Sequence, residues 1–194
     1  QIENTQEGPK QQLTMNPKKF ALWLLLASSV MFFAALTSAY IVRKADGNWL
    51  IFELPTIFWY SSAVIILSSF TMHWAYISAK RYELGKVKTA LLATTLLGFV
   101  FLGTQWLAFG ELIKMNVYLG GPTSNPAGSF IYFLAIVHGV HLIVGVGFLL
   151  IVLVRSFNFK VHSKSLTAIE MCATFWHFLG GLWIYLFVFL LLNH

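Results

Sequence analysis

Five long apolar runs, separated by short polar segments, constrain this chain more than any other feature of its sequence. They cover residues 20–42, 56–79, 89–112, 129–154 and 166–192. Each exceeds the roughly 20 residues of α-helix needed to cross about 30 Å of hydrocarbon. Because lipid offers the backbone no hydrogen-bond partner, runs of this length must be helical. The sequence therefore predicts an all-α integral membrane protein, a helical bundle of five transmembrane helices.

The first run shares two features with a secretory signal peptide: Lys18 and Lys19 precede it, and small residues lie near its end. It is longer than the roughly 7–15 apolar residues of a signal sequence. We therefore interpret it as a retained span. We expect residues 1–16 to form a polar cytoplasmic tail and residues 17–194 to form one five-helix transmembrane domain.

The distribution of basic residues predicts the orientation of the spans. Ten basic residues flank the spans on the side of the N-terminus: Lys10, Lys18, Lys19, Lys80, Arg81, Lys86, Lys88, Arg155, Lys160 and Lys164. Only Arg43, Lys44 and Lys114 fall on the other side. The positive-inside rule then places the N-terminus in the cytoplasm and the C-terminus in the periplasm. These clusters form no basic face or recognition motif, so nucleic acid is not an expected partner.

Polar residues inside the apolar runs carry most of the functional information. They are Ser28, Ser29, His73, Gln105, Glu111, His138, His141, Glu170, Thr174 and His177. A polar side chain in a span faces protein or a cavity, because lipid cannot bond to it. We expect Gln105 to form a hydrogen bond that packs two helices. The other residues that we assign to helix packing are Gly139, Gly145, Trp176 and Trp183.

The fourth and fifth spans each place polar residues at helical spacing. His138 and His141 share one face of the fourth span with Gly145, and Glu170, Thr174 and His177 share one face of the fifth. We expect these two faces to meet in a structural polar seam, formed by His138, His141, Glu170, Thr174 and His177. The alternative is a haem or metal site on the histidines. We expect no catalytic, cofactor-binding or metal-ligating residue.

Glu170 lies about one turn inside the fifth span and admits two interpretations. It is either a proton-accessible carboxylate at the cytoplasmic face or an acidic residue that favours the helix dipole. In the second case it could also pair with Lys160 or Lys164. The sequence leaves both interpretations open.

Two elements of the sequence resemble subunit III of the haem-copper oxidases. The run from His138 to Gly145 is similar to that family's His-Gly-x-His-x-x-x-Gly element. The run from Glu170 to Phe187, which contains Trp176-His177-Phe178 and Trp183, is similar to its final helix. Gln105 and the segment Ile-Phe-Glu-Leu-Pro at 51–55 also resemble bacterial members. The resemblance covers nearly the whole chain from about residue 16.

The resemblance implies a non-redox subunit that packs on subunit I and supports its stability and its proton uptake. Haems and copper are then expected in the partner subunits, with other oxidase subunits and membrane lipids as further partners and phospholipid as a bound molecule. The implied location is the bacterial inner membrane, in a proton-pumping respiratory complex. The five spans resemble the bacterial form that lacks the first two of seven helices.

The sequence departs from the family pattern at two positions. Many members have a glutamate where this chain has Ser29, and an aspartate where it has Gly180. Roles of those carboxylates therefore do not carry over.

Several functions remain open at this stage. We expect a cytochrome c oxidase of the aa3 type, and the alternatives within the superfamily are a quinol oxidase or an accessory subunit of nitric oxide reductase. From other classes, a small proton-linked transporter would place the histidines and glutamates on a proton path, and a membrane cytochrome would use the histidines to bind haem.

Overall fold

The computed structural model describes residues 16–45, 47, 54–120, 125–157 and 163–193, and its regular elements are five α-helices. These are α1 (Pro17–Ala45), α2 (Ile57–Lys80), α3 (Leu84–Lys114), α4 (Pro126–Phe157) and α5 (Ser163–Asn193). The described residues contain no β-strand. All five helices are long and apolar enough to cross a membrane. The prediction of an all-α bundle with five transmembrane helices is confirmed, and the protein is a multi-pass membrane protein.

All the helices except α2, which has the same length as its run, are longer than the apolar runs that predicted them. Every predicted span lies inside the corresponding helix except at Thr56, which immediately precedes α2. Polar residues at the helix ends continue the backbone hydrogen bonding while the hydropathy falls, so apolar runs underestimate helix length. Several predicted features lie outside the described residues: the tail to residue 15, including Lys10, the loop residues 48–53, including Glu53, and Lys160.

Two helices begin at an Asn-Pro pair. The Asn16 side-chain oxygen accepts a hydrogen bond from the backbone N–H of Lys18 at 3.1 Å, and Asn125 accepts one from Ala127 at 3.0 Å. The following prolines, Pro17 and Pro126, occupy the first helical position, where a missing N–H costs nothing and the fixed φ suits the helix. The asparagines thus cap the starts of α1 and α4.

Helices α2 and α3 both end in a left-handed residue that reverses the chain. Tyr82 has φ 57° and Asn116 has φ 59°. The next backbone N–H in each case returns to the helix, from Glu83 to the carbonyl of Ser78 at 3.1 Å and from Val117 to that of Leu112 at 3.0 Å. This is the Schellman arrangement, which satisfies carbonyls left free at a helix end. At the end of α2 it allows a connection of only three residues before α3 begins.

Four helices form a ring, and the fifth lies outside it. Helix α2 packs on α3, α3 on α4, α4 on α5, and α5 on α2, whereas α1 packs only against α4 and α5. Phe101, Leu142 and Trp176 are among the fully buried side chains of the interior. Large apolar side chains such as Trp106 and Met31 are more than 70% exposed. In a membrane these outward side chains face lipid, which solvates them as well as protein does.

Candidate functional site

The polar face of α5 contacts α1 and α2, the two helices on either side of it. The ammonium of Lys19 in α1 lies 2.8 Å from a carboxylate oxygen of Glu170. The ring of His177 lies 6.0 Å, between centroids, from that of His73 in α2. Thr174 donates a hydrogen bond to the backbone carbonyl of Glu170 on its own helix at 3.0 Å. Glu170 and His177 therefore contact two different helices, neither of which is α4.

His141 of α4 faces α1 instead of α5. Its Nδ1 bonds to the carbonyl of Val137 at 2.8 Å, and its Nε2 lies 3.4 Å from the Ser29 hydroxyl. The ring also packs edge-on against Phe33, with centroids 5.6 Å apart. Ser29 stands where many members of the family that the chain resembles have a glutamate. In this chain its hydroxyl contacts His141.

His138 lies at the centre of the ring of helices and is fully buried. Its imidazole contacts Trp183 of α5 at 5.3 Å and Phe101 of α3 at 6.1 Å, between ring centroids. Neither ring nitrogen has a hydrogen-bond partner among the described residues. His138 is therefore held by aromatic packing.

These placements correct the expectation of one continuous seam between α4 and α5. Within the described residues, the polar side chains divide among separate interfaces: His138 in the core, His141 against α1, His177 against α2, and Glu170 against Lys19. Helical spacing identified the polar faces. It could not identify the neighbour, because the rotation of each helix about its axis is decided by packing of all five.

Gln105 is buried in the ring, as expected of a packing residue, but the hydrogen bond predicted for it is not formed. Its amide oxygen and nitrogen both lack a partner in the part of the chain that the structure describes. Glu170 forms an ion pair with Lys19, a partner that the sequence analysis did not name. The predicted pairing with Lys160 or Lys164 stays a prediction, because Lys160 and the Lys164 side chain lie outside the described residues.

The two packing tryptophans bond to serines of α2, partners that the sequence analysis did not assign. Trp176 donates its indole N–H to the Ser68 hydroxyl at 2.8 Å, and Trp183 donates to Ser62 at 3.1 Å. The bonds are spaced six residues apart on α2 and seven on α5, as antiparallel neighbours require. A signal was available, since a buried indole N–H needs an acceptor and α2 is rich in serine.

Gly145 contacts another described helix, and Gly139 does not. A Cβ added at Gly145 would lie 2.7 Å from a methyl of Leu179 in α5. Among the described residues, no atom lies within 4 Å of a Cβ added at Gly139, apart from its own turn. This glycine follows the buried His138 by about 100° around α4 and does not face another described helix of this chain, so its packing role stays a prediction.

Polar bonds also attach the C-terminal half of α1 to α5. The hydroxyls of Thr37 and Tyr185 lie 2.9 Å apart. The Lys44 ammonium donates to the carbonyl of Asn193 at 2.6 Å, and the Tyr40 hydroxyl donates to the same carbonyl at 3.1 Å. With the Lys19–Glu170 pair near the N-terminal end of both helices, α1 is bonded to the parallel helix α5 along most of its length.

The polar side chains described above are distributed over several helix contacts. The described residues contain no group of three His, Cys, Asp or Glu side chains that could hold a metal ion. The three histidines of α4 and α5 contact three different sets of neighbours. What the polar groups do is join helices by hydrogen bonds, an ion pair and ring contacts.

Comparisons with known proteins agree with one another. The family model described as cytochrome c oxidase subunit III matches residues 50–193. Cytochrome bo(3) ubiquinol oxidase subunit 3 of Buchnera aphidicola subsp. Schizaphis graminum is 30% identical over 92% of this chain and 95% of its own length. Cytochrome c oxidase subunit 3 of Bacillus sp. (strain PS3) is 25% identical over 93% of this chain and 88% of its own. The protein of that name from Salmo salar is 34% identical over 71% of this chain and 49% of its own.

Proposed function

The chain belongs to the cytochrome c oxidase subunit III family of the haem-copper oxidases, and we propose that it is the non-redox subunit III of a proton-pumping respiratory terminal oxidase. The family match over residues 50–193 is the observation that carries this proposal. Two bacterial relatives named as oxidase subunit 3 align with this chain over most of their own length. A subunit of this family associates with other oxidase subunits.

In this proposal the chain packs on the large subunit I and supports that subunit's stability and proton uptake, while haems and copper reside in the partner subunits. The internal bonding pattern supports a scaffold role. The buried indoles of Trp176 and Trp183 and the charged Glu170 each have a partner on a neighbouring helix. The bundle is therefore held together by its own polar contacts, and its outward apolar surface is free for lipids and partner helices.

The location proposed is the bacterial inner membrane, with the N-terminus in the cytoplasm. Five membrane-length helices and bacterial oxidase relatives support a multi-pass protein of such a membrane. The excess of basic residues on one side supports the orientation.

For the electron donor of the complex we propose cytochrome c, as in an aa3-type oxidase. A second candidate is ubiquinol. It is favoured by a specific observation: the bo(3) ubiquinol oxidase subunit 3 of Buchnera aphidicola subsp. Acyrthosiphon pisum aligns with 99% of this chain and 94% of its own length. In either case the complex reduces oxygen, and this subunit contributes no redox centre.

Gentle detergent purification of the tagged chain tests the proposal. We expect it to co-elute with a large haem-bearing subunit, and the reduced spectrum of the complex to show a-type haem with oxidation of cytochrome c. The isolated polypeptide should show no haem absorbance. An o- or b-type spectrum with quinol oxidation would select the second candidate. Co-elution with a nitric oxide reductase core, or solute transport by the chain alone, would contradict both.

A further inference from the structure

Two polar side chains in the interior of the ring lack hydrogen-bond partners, and we propose that they bind internal water between α3 and α4. The four atoms concerned are both ring nitrogens of His138 and the amide oxygen and nitrogen of Gln105. None has a partner in the described ranges of the chain, and all four are shielded from the outside. The ligand proposed is one or two ordered water molecules.

The membrane setting makes such a site necessary. Roughly 90% or more of buried polar groups in proteins are bonded to protein or to ordered water. The cost of an unbonded group is larger inside a bilayer, because bulk water cannot reach it. Two unbonded side chains on adjacent helices would both carry this cost, and a shared water would remove it for both.

Phe101 relates the positions of the two side chains along α3 and α4. The His138 ring lies 6.1 Å from the ring of Phe101, and Gln105 follows Phe101 by one turn of α3, a rise of about 6 Å. One water bonded to two groups at about 2.8 Å each joins atoms roughly 4.5–5.5 Å apart. The long glutamine side chain can cover the rest of the separation, so one or two waters suffice.

The two described aromatic rings that contact His138 do not offer the missing bonds. Phe101 has no polar side-chain atom, and the Trp183 indole N–H is already donated to Ser62. One turn along each helix lie two small buried residues, Ala135 on α4 and Ala108 on α3. Both have short side chains, and a water molecule can donate and accept as both an amide and an imidazole require.

A high-resolution map of the assembled complex tests the proposal directly. We expect density within about 2.6–3.2 Å of both the Gln105 amide and the His138 ring. A map that resolves other buried waters but shows none here would overturn the proposal. So would a direct bond between the amide and the ring with no density between them.

Two substitutions in the same complex provide a second, energetic test. Gln105→Leu and His138→Phe should each lower the melting temperature by about 2–4 °C or more, because each leaves the water and the other side chain without a partner. The double variant should lose clearly less than the sum of the two shifts, since neither polar group then remains.

A control pair of substitutions shows how the shifts in melting temperature combine when two sites do not interact. Thr95 is buried on α3, and its hydroxyl already bonds to the Leu91 carbonyl at 2.8 Å. Thr95→Val combined with Gln105→Leu should therefore give additive shifts, because the positions lie about 15 Å apart along the helix. Additive shifts for the His138 pair as well would overturn the shared site. If a single variant fails to assemble, the map of the unaltered complex decides.

Discussion

Serine hydroxyls on α2 connect the two central tryptophans to the neighbouring helix. Ser62 donates its proton to the Phe58 carbonyl at 2.8 Å and accepts the indole N–H of Trp183 at 3.1 Å. A hydroxyl has one donor and two acceptor positions, so it can bond to its own helix and to another at once. Small size lets the helices approach, and the oxygen supplies the partner that a buried indole requires.

Ser68→Ala should destabilise the protein by about 1–3 kcal/mol, because it leaves the buried N–H of Trp176 without an acceptor. Thermal unfolding of the purified complex measures the change, and the indole N–H vibration of Trp176 should move to the frequency of an unbonded group. Ser69→Ala, the adjacent substitution, is the matched control and should have a smaller effect. Equal effects of the two substitutions would contradict the role assigned to Ser68.

The Lys19–Glu170 ion pair should contribute little stability despite its 2.8 Å distance. Both side chains are about 40% exposed, and exposed pairs are worth about 0–1 kcal/mol. We expect Lys19→Gln to lower the free energy of unfolding by less than about 1 kcal/mol, and the charge exchange Lys19→Glu with Glu170→Lys to restore it. A loss above about 2 kcal/mol from Lys19→Gln would show that the pair is more deeply desolvated than its exposure indicates.

At the scale of helices, α5 is the element that organises the bundle. It contacts α1, α2 and α4: its tryptophans and its histidine contact α2, and its glutamate contacts α1. Helix α1 is the least embedded, because it lies outside the ring of the other four and exposes Trp23, Met31 and Val42 by more than 60%. Polar bonds to α5 at its two ends compensate for this limited packing.

The close approach of α4 and α5 depends on Gly145. Gly145→Ala should destabilise the bundle by about 1–3 kcal/mol, because the new Cβ would lie 2.7 Å from a Leu179 methyl and 3.4 Å from the Phe175 ring. Gly139→Ala, six residues earlier on the same helix, should be neutral or stabilising, since alanine favours helix by up to about 1 kcal/mol. Unfolding of both variants provides the measurement, and a Gly145→Ala protein as stable as Gly139→Ala would contradict this account.

At the scale of the whole molecule, orientation in the membrane is a prediction from charge. Arg81 and Asn116 are exposed residues in the α2–α3 and α3–α4 connections. In intact cells, a membrane-impermeant thiol reagent should label Asn116→Cys and spare Arg81→Cys, because ten basic residues on the N-terminal side predict a cytoplasmic location for that side. The native Cys172 is 1% exposed and should give little background. The reverse labelling pattern would contradict the predicted orientation.

The sequence alone determined the number and type of the elements. A segment in lipid must form its backbone hydrogen bonds within itself, so each apolar run predicts a helix independently of the other runs. The same independence explains why spacing along α5 identified Glu170, Thr174 and His177 as one face. The start of α4 was located less well: the apolar run begins at residue 129, whereas the helix begins at Pro126, directly after the Asn125 cap.

Only the tertiary structure decided which side chains meet. His73 contacts His177, Lys19 pairs with Glu170, and Ser68 accepts a hydrogen bond from Trp176. The last two pairs are separated by 151 and 108 residues of sequence. Such contacts depend on the rotation and order of all five helices, and these follow from how the whole set of side chains packs. No periodicity within a single helix contains that information, which is why a polar face could be predicted while its partner could not.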